Sequence, residues 1–221
     1  MFISHRCRFI IFTDPCEKLP WLEQALARWT DEDVSLTGGP TRKTPFFAGM
    51  SPKEVRIAFQ GLGLDYDSYT RIAIVQNPFR RVAAHYDRLR AIDPVWRLRV
   101  RAGLRIPDFR NWLLSGQFEG GSLLQRLLPP RHGLTRRLVA QKWQKGDINS
   151  FVRAEYAAAD LRAAFRKLAV VPAIDLSLGD KPHRFPEILR YDRDTVEVVQ
   201  RRFRDELRFY SDLGAGLDLV A

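Results

Sequence analysis

The side chains best placed to do chemistry in this sequence are cations next to a sharp turn of the backbone. Residues 71–86 read Arg-Ile-Ala-Ile-Val-Gln-Asn-Pro-Phe-Arg-Arg-Val-Ala-Ala-His-Tyr. Gln76 stands at the corner of this stretch, and Arg80 and Arg81 place two full positive charges just beyond the Asn77-Pro78 step. A helix that starts after such a turn presents unpaired N–H groups and partial positive charge, which suits a phosphate or sulfate. The same residues serve equally well in an ordinary strand-to-helix corner with a solvated arginine pair, and the pattern alone does not choose.

The elements that must hold this corner are legible from spacing. The apolar run 72–75 has two isoleucines and a valine, all β-branched, and is too short for a helix, so it reads as a buried strand. Proline fixes φ and has no N–H, which fits the first turn of a helix; Phe79, Val82, Ala83 and Tyr86 follow at helical spacing, and the helix reaches about Ala91 before Asp93-Pro94. Upstream, Phe9 to Phe12 is a first strand, Thr13-Asp14-Pro15 a turn, and Leu22, Ala25, Leu26 and Trp29 one face of a helix. Residues 37–45 form a basic loop through Arg42 and Lys43. Ser51-Pro52-Lys53-Glu54 is a capping box, predicting a helix over 52–59 that Gly61 and Gly63 stop.

Downstream, Trp96 to Arg105 alternates arginine with apolar residues, which puts Arg97, Arg99 and Arg101 on one face if extended, open to an acidic partner or to solvent. Residues 107–114 predict a short helix with Phe109, Trp112 and Leu113 inward, and 116–136 is a Gly-, Pro- and Arg-rich segment suited to facing a substrate. Residues 148–152 read as a strand and 157–168 as a helix burying Leu161, Ala164, Phe165 and Leu168. A last helix is capped by Asp194 and Glu197 and buries Val196, Val199, Phe203, Leu207 and Tyr210 until Gly214. Strands alternating with helices predict an α/β fold with a mainly parallel central sheet flanked by helices on both faces, and 221 residues suit a single domain with an insertion around 93–136.

Composition narrows the partners. The net charge of +10, from 36 Lys+Arg against 26 Asp+Glu, favours a polyanionic ligand or an acidic surface. Two cysteines, Cys7 and Cys16, provide neither a disulfide framework nor a metal-ligand cluster, so no metal is expected. The apolar run at the N-terminus is interrupted by Arg6 and Arg8 and is too short for a signal sequence or a membrane span, so a soluble, cytoplasmic protein is expected. Charge alone would admit nucleic acid, but no helix-turn-helix, zinc finger or aromatic-basic RNA motif is present.

Taken together, these segments resemble the carbohydrate-type sulfotransferase family, whose members have a three-layer P-loop-like fold and use 3′-phosphoadenosine 5′-phosphosulfate (PAPS). The stretch 71–86 resembles that family's Val-Arg-Asn-Pro-aromatic-x-Arg-x-x-Ser-x-Tyr segment, which binds the 3′-phosphate, with Asn77, Pro78, Phe79, Arg81 and Tyr86 matching. Residues 51–59 resemble the helix before it, and Phe-Val-Arg-Ala-Glu-Tyr-Ala-Ala-Ala-Asp over 151–160 is similar to the family's Arg-x-Glu-x-x-x-x-Asp strand and helix. Lys-Pro-His-Arg at 181–184 and the helix after it resemble the C-terminal end.

The resemblance implies transfer of a sulfuryl group from PAPS to a hydroxyl of a glycan or small molecule, with Lys18, Gln76, Arg80 and Arg81 as the cofactor-binding positions. The departures fall on that chemistry. Cys16 stands at the family's lysine, and Leu19, Pro20 and Trp21 occupy the stretch where glycine and hydroxyl residues wrap the 5′-phosphosulfate. Gln76 replaces the 3′-phosphate arginine and Ala84 the serine, so Lys18 and Arg80 are the cations left to take over. No catalytic residue is assigned; His85 and Glu155 are the alternatives for a general base. The second reading is therefore a pseudoenzyme of the same fold that binds an acidic ligand or a protein partner through its basic surface.

Overall fold

The computed structural model describes residues 1–13, 19–33, 44–47, 49–115, 147–167, 174–180 and 190–218. The turn expected at Asp14-Pro15, the loop 37–43, the segment 116–136, Leu168 and the stretch 181–184 lie outside them. In chain order the elements are β1 (Phe2–Ser4), β2 (Phe9–Phe12), α1 (Pro20–Leu26), β3 (Glu32–Asp33), α2 (Pro52–Gly61), β4 (Thr70–Val75), α3 (Pro78–Ile92), α4 (Pro94–Arg101), α5 (Phe109–Leu114), β5 (Ser150–Arg153), α6 (Ala157–Lys167), α7 (Arg193–Arg202) and α8 (Arg204–Asp218). The fold is α/β. Its described residues fall into two compact units, one within 1–76, 139–183 and 210–221, the other within 77–138 and 184–209.

The first unit is built on the sheet, in the order β3-β1-β2-β4-β5. Its two longer ladders are parallel, β2 with β4 (Ile11 opposite Ile72) and β4 with β5 (Ile74 opposite Val152). The edge is antiparallel: β1 and β2 form a hairpin with Phe2 opposite Ile11, and Arg8 takes φ of 52° just before β2. The sequence pattern does not predict β1, because three residues are too few to show a period. Every residue of β2 is buried, as expected of a strand covered on both faces. Phe9, Ile11, Ile72, Ile74 and Val152 pack with Leu22 and Leu26 of α1 and Leu161 and Phe165 of α6, while Ile10, Phe12 and Ala73 pack with Val55 and Phe59 of α2. Full burial of a side chain such as Leu22 or Phe59 contributes about 1.5–3 kcal/mol.

Helix α2 forms where its caps predict. Ser51 N donates to Glu54 Oε2 at 2.6 Å and Glu54 N to Ser51 Oγ at 3.3 Å. Its end is closed by Leu64 N donating to the Phe59 carbonyl and Gly63 N to that of Gln60, with Gly63 at φ of 70°, a conformation that favours glycine.

The second unit is helical. Val82, Ala83 and Tyr86 of α3 share a core with Trp96 of α4, Phe109, Trp112 and Leu113 of α5, and Val199 and Phe203. One open alternative is decided here and two expectations are corrected. Of the extended and helical alternatives that the stretch 96–101 left open, the structure has the helix, because Asp93 Oδ1 caps the N–H of Trp96 and Trp96 itself is buried. The last helix is capped at Asp192, not Asp194, because the Thr195 hydroxyl and N–H both answer its carboxylate. That helix is two helices, with Phe203 at φ −113° and ψ 31° between them, and the second runs through Gly214.

Candidate functional site

The residues singled out at the β4–α3 step divide between the two units, and each set has its own environment. Gln76 follows β4 and is only 9 % exposed; its Oε1 is buried with no hydrogen-bond partner. In the second unit, Asn77 caps α3 by accepting the N–H of Phe79 at 2.9 Å, and its carbonyl accepts the N–H of Arg81 at 3.0 Å. Arg81 is buried, Arg80 half-buried.

Phe79, His85 and Tyr86 serve packing. The Phe79 ring meets Tyr191 edge-on at 5.2 Å, and the Tyr191 hydroxyl donates to the Phe79 carbonyl. His85 is buried with its ring 6.1 Å from that of Trp112. Tyr86 lies against Trp96, Phe109 and Trp112, and its hydroxyl donates to the Pro107 carbonyl at 2.9 Å; burial pushes its pKa up.

In the first unit, Lys18 lies outside the described residues, and α1 begins at Pro20. Pro20 has no N–H, and the N–H groups of Leu22 and Glu23 both turn back to the Leu19 carbonyl, at 2.9 and 3.1 Å. Leu19 is buried in the core and gives no side-chain cap. Trp21 packs on the same core with its Nε1 buried and without a partner. These are the features of a helix start packed into a protein interior.

Two further cation clusters are closed. Arg153 donates Nε and Nη2 to the Asp160 carboxylate at 2.9 and 3.1 Å, its own N–H adds a third bond at 3.0 Å, and the hydrogen bond to Asp160 raises the Arg153 pKa. Glu155 accepts a hydrogen bond from the Tyr210 hydroxyl, whose pKa is pushed up by burial and then by that carboxylate. Arg56 and Arg71 both lie over the Tyr66 ring at 5.0 Å; Arg71 pairs with Asp67, Arg56 with Asp67 and Asp147. Each guanidinium here already has a carboxylate.

No protein-family model, curated protein or solved structure matches the chain.

A group of open cations that is close in sequence lies at α4 and the turn after it. Arg97, Arg99, Arg101 and Arg105 are exposed and enter no side-chain hydrogen bond or ion pair among the described residues. Arg99 and Arg105 line an open cleft of about 460 Å³ with Ile106, Pro107, Asp108 and Asn111. The alternation of arginine with apolar residues was the signal in the sequence, and helix formation redistributes it: Arg97 and Arg101 share one face, and Arg99 lies on another. Such a group can bind an anion but holds no nucleophile or base. Among the described residues no cluster of His, Cys, Asp and Glu can hold a metal ion, and no helix is long and apolar enough to cross a membrane.

Proposed function

We propose that the chain is a catalytically silent protein with a sulfotransferase-like, three-layer P-loop-like fold, whose work is to hold an anionic partner on its basic surface. Parallel β2, β4 and β5 between α1 and α6 on one face and α2 on the other support the fold. The observation that carries the loss of activity is the start of α1, where Pro20 offers no amide and the N–H groups of Leu22 and Glu23 are taken up by the Leu19 carbonyl. A phosphosulfate needs those amides, hydroxyl groups and a lysine beside the bridging oxygen. The residues present do not fit PAPS. The formal charge of +10 supports binding of an anion.

The test is calorimetric titration of the full chain with adenosine 3′,5′-bisphosphate (PAP), alongside retention on immobilised heparin. No heat at millimolar nucleotide, with salt-dependent retention on heparin, is the expected result. Saturable heat would restore sulfuryl transfer from PAPS to a glycan or small-molecule hydroxyl as the function.

A further inference from the structure

We infer that the C-terminal end of α4 and the turn after it, residues 97–105, dock on an anionic lipid bilayer. This rests on the reading that the protein holds an anionic partner, and names that partner and the surface.

Arg97, Arg99, Arg101 and Arg105 occur with no acidic residue from 94 to 107. The flanking carboxylates are engaged at helix starts: Asp93 accepts the N–H of Trp96, and Asp108 accepts the N–H and the Nδ2 of Asn111. Asp108 shares the cleft of Arg99 and Arg105, but no carboxylate among the described residues forms an ion pair with the four arginines, which face solvent in excess over it.

Between the arginines, Leu98 is 67 % exposed and Val100 and Leu104 are each 59 % exposed. Trp96 anchors α4 by its buried ring, so the opposite side of the helix, carrying Leu98 between Arg97 and Arg101, points outward. Gly103, at φ of 71°, ends the helix: its N–H donates to the Val100 carbonyl and that of Leu104 to Arg99. That turn brings Leu104 and Arg105 back beside the last turn of α4.

The mixture selects the partner. A nucleic acid or an acidic glycan would engage the arginines and leave Leu98 and Leu104 in water. An anionic bilayer engages both kinds, with guanidinium groups at the phosphate level, their stems along the surface, and the aliphatic groups at the acyl boundary. Arginine is the better cation for this, because its fork matches phosphate oxygens in pairs.

The test is co-sedimentation of the full chain with vesicles of phosphatidylcholine alone and of phosphatidylcholine with about 30 % phosphatidylserine. Binding is expected to the second only, weakening as salt rises. Arg97→Glu with Arg101→Glu is expected to lower partitioning at least about tenfold. Leu98→Ser with Leu104→Ser is expected to lower it about fivefold while retention on heparin is unchanged. Unchanged melting temperatures establish that both variants are folded.

Equal binding to both vesicle types, or vesicle binding that ignores the leucine pair, overturns the inference. The second outcome shows that the arginines bind the vesicle by charge alone and that the aliphatic groups take no part. Absent vesicle binding with heparin retention kept overturns the bilayer alone, whereas loss of both overturns the anion-holding reading as well.

Discussion

The Trp21 indole packs so closely on Gly179 that a Cβ built on the glycine would lie 2.7 Å from Cζ3 and 2.8 Å from Cε3. The same Cβ would be 2.9 Å from that of Ala158 on α6. Trp21 is thus packing between the start of α1 and the 3-10 turn Ser177–Asp180, and the absence of a side chain at Gly179 is what admits it.

Gly179→Ala should therefore destabilise the protein by about 1–3 kcal/mol, the usual cost of overpacking a filled site. In a Trp21→Ala background the penalty should fall but not vanish, because the Ala158 contact remains. Urea unfolding of the four members of this double-mutant cycle measures the difference.

Asp160 answers three donors of one residue, and its side chain is 5 % exposed. Asp160→Ala leaves the Arg153 guanidinium, itself 18 % exposed, without its carboxylate. A loss of about 3 kcal/mol is expected, read from denaturant unfolding, with Asp160→Asn recovering part of it through its remaining acceptor oxygen.

Acid should act on the second unit through Asp192. Its pKa is lowered from the ordinary 3.8 to about 2 by the Thr195 hydroxyl and N–H and then by Arg110. A depressed carboxylate contributes stability above its unfolded pKa and loses it as pH falls through the folded one. Asp192→Asn should thus melt below the wild type near neutral pH, and the gap should close as pH falls from about 4 towards 2. Parallel thermal melts across that window check it; a gap that stays constant would show that the charge contributes nothing.

Gln76 buries an acceptor that no donor meets. Gln76→Met, which keeps the length and removes the polar group, should be neutral to stabilising, within about 1 kcal/mol. A loss of more than about 2 kcal/mol by urea unfolding would show that the amide has a partner in solution.

What the sequence determined by itself was local. The apolar runs of β2 and β4, the Ser51–Glu54 box, the proline starts of α2 and α3 and the Leu161–Phe165 stripe of α6 rest on spacings of a few residues, and the structure forms them as read. Tertiary packing decided the rest. Phe2–Ser4 becomes a strand because β2 offers an edge to pair with. The alternating arginines, a strand pattern in isolation, are helical because Trp96 finds the core around Tyr86 and Asp93 caps the turn before it. Gly214 stays in α8, where a Cβ would come within 2.9 Å of Arg153 Nη1. The same division holds for the cations. Sequence located Arg71, Arg97, Arg99, Arg101 and Arg153, but it was folding that brought carboxylates to Arg71 and Arg153 and left the α4 arginines facing water, because ion pairing depends on distances across the chain rather than along it.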